Sequence, residues 1–237
     1  MSIEMDPRIS RHYLDLVAQE TRGLLEKGFT PSGTSGDVSL RDPITGLIYV
    51  SGSLVGMPFA ETDFSTFAAH DVSVHEPDGT NISPWALATI ELPMHLGIYR
   101  ARPDVHAIVH SHPLWASVFA ITHETIPLAL AEQMGNLGGE VNVAKYAPAG
   151  DVKMGAYIVE ALGSKNAVIM ANHGAVTVGP TFEVAYRYSY FLEQIAQKII
   201  YAKLIGEIHA LKPEDLNPDS YMKGTEGYGA GRDDNLE

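Results

Sequence analysis

His110 and His112 stand two residues apart at the end of a short apolar run, Asp104-Val105-His106-Ala107-Ile108-Val109-His110-Ser111-His112-Pro113. The alternation predicts a β-strand with Val105, Ala107 and Val109 on one face and His106, Ile108, His110 and His112 on the other. Side chains two apart on a strand point the same way, with Cα atoms roughly 7 Å apart, so two imidazoles can converge on one ion. Pro113 lacks a backbone N–H and cannot continue a paired strand, so both histidines fall where the strand gives way to a loop or helix. Neutral imidazole is the commonest protein ligand for a transition metal, and the spacing suits one. Taken alone, such a pair is more often two histidines sharing backbone hydrogen bonds near a surface, so the rest of the chain has to decide.

Two further positions could complete a site. In the apolar strand 167–172, His173-Gly174 interrupts a buried run before 175–179 resumes it, which lets His173 project from the break. Segment 89–101 reads as a helix beginning near Thr89 or Ile90, because Pro93 is tolerated only in a first turn. Glu91 then lies in that opening turn, where the helix dipole favours an anion, and shares a face with His95, which could orient it. On pattern alone, Glu91 is more readily a solvated first-turn charge.

The elements that must hold these residues are an N-terminal helix over 9–27 stopped by Gly28, strands at 46–51 and 70–75, and a turn at Pro77-Asp78-Gly79. The loop 31–40 leads into another strand, and its glycines and hydroxyls could cradle an anion or form a plain turn. Pro113 can start a helix running to about Ala120, 125–148 looks irregular, and Asp151 can cap a helix ending near Gly163. Pro180 opens the longest helix, to roughly Ile205, with apolar residues on several faces that suggest burial against a sheet and a neighbouring chain. Residues 1–211 read as a single domain and 212–237 as a polar, Gly-rich tail. His12, His106, His123 and His209 read as ordinary histidines.

The chain has 237 residues, 45% hydrophobic and 19% charged, enough for a sizeable core. It has no cysteine, which removes any disulfide framework or thiolate metal site and sits easily with a reducing cytoplasm. No secretory signal and no apolar run approaching ~20 residues is evident, so a cytoplasmic protein without a membrane span is expected. A net charge of −13 with no basic run argues against nucleic acid or an anionic membrane as partner.

Glu91, His110, His112 and His173 together offer three nitrogens and a carboxylate, a set that suits zinc first, with manganese or cobalt as alternatives. The order Glu-x-Pro-x-His-x-x-Ile-Tyr, Arg-Pro-Asp-x-x-Ala-Ile-Val-His-x-His and, some sixty residues later, Asn-His-Gly resembles the class II aldolase/adducin family over roughly residues 8–208. The resemblance implies a three-layer α/β/α fold around a mostly antiparallel sheet and a cyclic homotetramer with active sites near subunit boundaries. It implies one divalent ion per subunit on His110, His112 and His173, with Glu91 as the acid/base residue. Substrate contacts are expected from Thr34, Ser35, Gly36, Asp37, Ser51, Gly52 and Thr89, and outer support from His95 and Glu132. Tyr221 and Tyr228 lie in a tail that could close over a neighbouring site.

The implied chemistry is lysis of a carbon–carbon bond in a small hydroxy-keto, sugar-like substrate through a metal-stabilised enolate. Three departures bear on that substrate. Gly36-Asp37 stands where sugar-phosphate members have Gly-Asn, and an aspartate there would repel a phosphate dianion. Thr89-Ile90-Glu91 replaces a Ser-Ser-Glu stretch, and Ala131-Glu132-Gln133 stands where a tyrosine acid is found. A non-phosphorylated substrate is therefore expected. The alternatives are a metal-dependent decarboxylase of a hydroxylated dicarboxylate and a non-catalytic binding protein of adducin type.

Overall fold

Strand residues of this chain alternate between two apolar layers, and that alternation builds the fold. In the computed structural model, which describes residues 5–52, 63–212 and 215–216, seven strands form one sheet. They are β1 (Asp37–Arg41), β2 (Ile48–Ser51), β3 (Val72–His75), β4 (Ala107–Ser111), β5 (Val143–Ala144), β6 (Ala167–Met170) and β7 (Ala175–Gly179). Their order is β3-β2-β1-β4-β7-β6-β5, antiparallel at every junction except the parallel β5–β6 pair. Six helices cover it: α1 (Arg11–Glu26), α2 (Leu92–Ala101), α3 (Ala116–Thr122), α4 (Ala131–Leu137), α5 (Lys153–Leu162) and α6 (Phe182–Ile205).

The period of two sorts side chains between the layers. Val38, Leu40, Ala107 and Val109 pack under α1 and the start of α6. Ala167, Ile169 and Ala175 meet α3, α4 and the remainder of α6 on that same side. Ile48, Val50, Ile108, Val168, Val176 and Val178 face the other way, onto α2 and α5. The expected α/β/α sandwich is therefore what the chain builds.

Helix α2 is seated unusually close to its partner. At the α2–α5 crossing Gly97 faces Gly155, and a Cβ built on Gly155 would lie 2.5 Å from the Pro93 carbonyl oxygen. Only glycines allow that approach, and it fixes the height of the helix that begins next to Glu91.

Three expectations are corrected. Helix α2 begins at Leu92, not at Thr89 or Ile90, so Glu91 is the N-cap and Pro93 the second helical residue. Segment 125–148 is not irregular throughout: it holds α4 and β5. A seven-residue helix containing Gly135 is too short to show a period, and it persists because buried Gln133 donates to the Pro127 and Gly139 carbonyls. The run 167–172 pairs only as far as Met170, and 171–174 make the tight turn into β7, with Asn172 in the left-handed region. Tyr221 and Tyr228 lie outside the described residues, as does the tail apart from 212, 215 and 216.

Candidate metal centre

Histidines 110 and 112 leave the end of β4 on one face, and the neighbouring β7 brings the third. The register pairs His110 with Val176 and Ser111 with Ala175, so the turn carrying His173 lies beside the end of β4. The three rings pack with centroids 4.9–5.0 Å apart, and one nitrogen of each lies within 4.8 Å of the others. Gly174 makes the approach possible: a Cβ there would sit 2.4 Å from the Ser111 carbonyl oxygen, 3.0 Å from His112 Cδ2 and 3.3 Å from His110 Cε1.

His110 is fully buried, and its Nδ1 donates to the Ala175 carbonyl at 3.0 Å. That bond fixes the ring and turns Nε2 toward the other two histidines, as outer partners of metal-binding imidazoles do. His112 is fixed through its backbone, whose N–H donates to the Phe29 carbonyl at 3.0 Å. Its Nε2 lies 3.3 Å from His110 Nε2.

Glu91 closes the cluster from the start of α2, only 6% exposed. Its Oε2 is 2.9 Å from His110 Nε2 and its Oε1 is 3.1 Å from His173 Nε2. The second contact is close but misdirected, and among the described residues Oε1 has no hydrogen-bond partner. An orphaned buried carboxylate oxygen beside three converging imidazoles is what a divalent ion with nitrogen and oxygen preferences would satisfy, so the residues present fit such an ion.

The charges in the cluster act on one another. Burial disfavours a proton on His110, but the Glu91 carboxylate more than offsets this and raises it to about 9. Burial, then the charges of His110 and His173, push His112 down to about 3. His173 is also lowered, by burial and by His110. The metal-free cluster thus keeps a proton on His110 at neutral pH, and an ion taking that nitrogen must expel it. Uptake should release about one proton per ion at pH 7, with apparent affinity falling about tenfold per pH unit from pH 9 downward. Titration calorimetry in buffers of different ionisation enthalpy checks this; a heat independent of buffer contradicts it.

Of the expected substrate contacts, Gly36 and Asp37 lie against the strand that carries His110. Gly36 (φ 92°) runs against β4, where a Cβ would meet the His110 carbonyl oxygen at 2.7 Å. Ser35 Oγ bonds to Thr30 and Ser32, and Thr34 joins the same hydroxyl group through Ser32. Thr89 Oγ1 donates to Asp37 Oδ2 at 2.6 Å. Gly52 pairs with Asp71 and Ala88. Ser51 is a correction: buried, its hydroxyl donates to the Val38 carbonyl and accepts from the Val38 N–H, so it is committed to the β1–β2 pair.

Neither residue expected as outer support bonds directly to Glu91. Glu132 is exposed on α4, and its carboxylate faces Lys198 at 3.9 Å, with no hydrogen bond or ion pair to Glu91 or the histidines among the described residues. His95 does not bond to Glu91 either; its Nε2 meets Asp37 Oδ1 at 2.7 Å and its Nδ1 meets Ser39 Oγ at 2.6 Å. The sequence gives no sign of that Asp37–His95 pair, because it depends on how α2 registers against β1.

The chain thus joins a mostly antiparallel α/β/α sandwich to a histidine triad that could hold a metal ion, with a buried glutamate beside it. Residues 15–200 match the model of the Class II Aldolase and Adducin N-terminal domain, and the chain belongs to that family. The 5-deoxy-D-ribulose 1-phosphate aldolase of Bacillus thuringiensis serovar kurstaki is 31% identical over 206 residues, covering 87% of this chain and 92% of that one. The L-fuculose phosphate aldolase of Escherichia coli (strain K12) is 26% identical over 194 residues, covering 80% and 81%. A solved L-fuculose 1-phosphate aldolase superposes with a TM-score of 0.80 at 27% identity, covering 88% of this chain and 94% of that one. The named relatives are aldolases, and this chain is a lyase of the same family. Among the described residues no helix is long and apolar enough to cross a membrane.

Proposed function

We propose that the chain is a divalent-metal-dependent carbon–carbon lyase that performs retro-aldol cleavage of a small hydroxy-keto, sugar-like compound. The observation that carries this is Glu91 Oε1, buried beside three imidazoles with no hydrogen bond among the described residues. His110, His112 and His173 hold the ion, with zinc first and manganese or cobalt as alternatives. When bound, the ion supplies Lewis acidity that offsets the negative charge left on the substrate as the carbon–carbon bond breaks. Glu91 carries the proton to or from the carbon beside the carbonyl, and its burial keeps competing water away. Thr34, Ser35 and Gly36 orient the substrate's hydroxyls.

Relatives named for ketose 1-phosphates place those compounds on the test panel. The buried Asp37 carboxylate supports a non-phosphorylated substrate instead, since burial does not neutralise it: His95 and Thr89 hold it well below the usual carboxylate range. Exposed Leu114, Ile121, Leu204 and Ile205 on and beside α3 and at the end of α6 support association into the homotetramer, and the acidic charge fits a cytoplasmic enzyme without nucleic-acid or membrane partners.

Metal-loaded protein offered ketoses, ketose 1-phosphates and hydroxylated dicarboxylates tests the proposal. Release of an aldehyde supports it. Carbon dioxide instead would assign a decarboxylase, and no turnover with metal bound would assign a binding protein.

A further inference from the structure

Glu91 is weakly held for a residue that must carry a proton. Its side chain makes no cap bond to the helix it begins, Oε1 is unpartnered among the described residues, and Oε2 rests on His110. The backbone turn beneath it must therefore set its position. In that turn the Glu91 N–H donates to Thr89 Oγ1 at 3.2 Å, and Thr89 Oγ1 donates to Asp37 Oδ2 at 2.6 Å. The other oxygen of Asp37 meets His95 Nε2 at 2.7 Å.

The connection continues into the core. His95 Nδ1 meets Ser39 Oγ at 2.6 Å, and Ser39 Oγ meets the Tyr99 hydroxyl at 2.8 Å. Asp37 and Ser39 are two apart on β1 and so share a face, while His95 and Tyr99 are one turn apart on α2. Two strand residues rise roughly 6.6 Å and four helical residues roughly 6 Å, so the rungs match in pitch. All four side chains are buried, so α2 cannot slide or turn against β1 without stranding a polar group. Thr89 donates to one Asp37 oxygen, and an ionised carboxylate only accepts, so His95 Nε2 must carry hydrogen toward the other.

We propose that His95 is a positioning residue of the reaction, acting on Glu91 through Asp37 and Thr89; the inference rests on Glu91 being the proton carrier. His95 touches neither substrate nor ion. It locks the turn from which Glu91 reaches the site, so its loss should lower the rate of proton transfer while ion and substrate binding persist.

The test is exchange of solvent deuterium into the carbon beside the carbonyl of dihydroxyacetone and of dihydroxyacetone phosphate, with the ion content of every variant measured alongside. Glu91→Gln sets the floor. His95→Leu and Thr89→Val should each lower the exchange rate constant roughly 10- to 100-fold at unchanged ion content and KM, the size expected of a misplacement near 1 Å. His95→Gln, whose amide can still donate to Asp37, should recover most of the rate. If His95→Leu does not fold, Thr89→Val and His95→Gln decide. Wild-type exchange in Thr89→Val, a His95→Gln rate no higher than the Glu91→Gln floor, or a rate loss that tracks loss of the ion, would overturn the inference. If Glu91→Gln exchanges as fast as the wild type, or the wild type exchanges neither compound, the functional proposal itself fails and takes this inference with it.

Discussion

Glu91→Gln should leave ion uptake intact and lower turnover by roughly 10²- to 10⁴-fold, the usual contribution of a positioned acid/base group. Glutamine keeps the shape and an oxygen for His110 or the ion, but its amide cannot accept a proton at working pH. The three imidazoles are held independently of Glu91: His110 by the Ala175 carbonyl, His112 by the Phe29 carbonyl, and His173 by the β6–β7 turn. Metal content and turnover should therefore separate in this variant, which also divides the competing functions. A binding protein of adducin type has no turnover to lose. If Glu91→Gln released its ion together with its activity, the carboxylate would be a required ligand and its proton role would lose support.

Gly174→Ala should do the reverse and remove the ion. The added Cβ is directed at the Ser111 carbonyl oxygen, backbone that cannot rotate away, and at the rings of both His110 and His112. One methyl forced into a packed site costs about 1–3 kcal/mol of stability, and in a chain of this size each kcal/mol lowers the melting temperature by about 2–4 °C. The larger effect is on geometry, because separating the β4 histidines from His173 breaks the set that must meet at one ion. Gly135→Ala is the control. It sits inside α4 with no neighbouring atom within 4 Å of the added Cβ, and should be neutral or stabilising by up to about 1 kcal/mol. Ion affinity of Gly174→Ala equal to that of Gly135→Ala would contradict the account.

The histidines were legible because each marks a break in an apolar alternation: His110 and His112 before Pro113, and His173 before Gly174. A strand's period of two leaves little freedom about which way such a residue points. Glu91 was legible through Pro93, though the helix starts two or three residues later than expected, which puts Pro93 at its second position, well inside the first turn. Helix α4 was not legible, because what sustains it is Gln133 bonding to backbone distant from its own short period. Nor was the fate of Ser51 or His95. A hydroxyl or imidazole near a site can face the ligand or the core, and the choice depends on sheet register and on how deeply α2 is seated by Gly97 and Gly155.

The claim on which the rest depends is that imidazoles from β4 and from the β6–β7 turn share one divalent ion. Elemental analysis of the purified protein, dialysed against metal-free buffer, tests it without reference to any substrate. The account predicts about one divalent ion per chain in the wild type, retained in Glu91→Gln and lost when His110, His112 or His173 is replaced singly by alanine. A wild-type protein that takes up no stoichiometric ion, or one whose ion survives all three alanine substitutions, would contradict it.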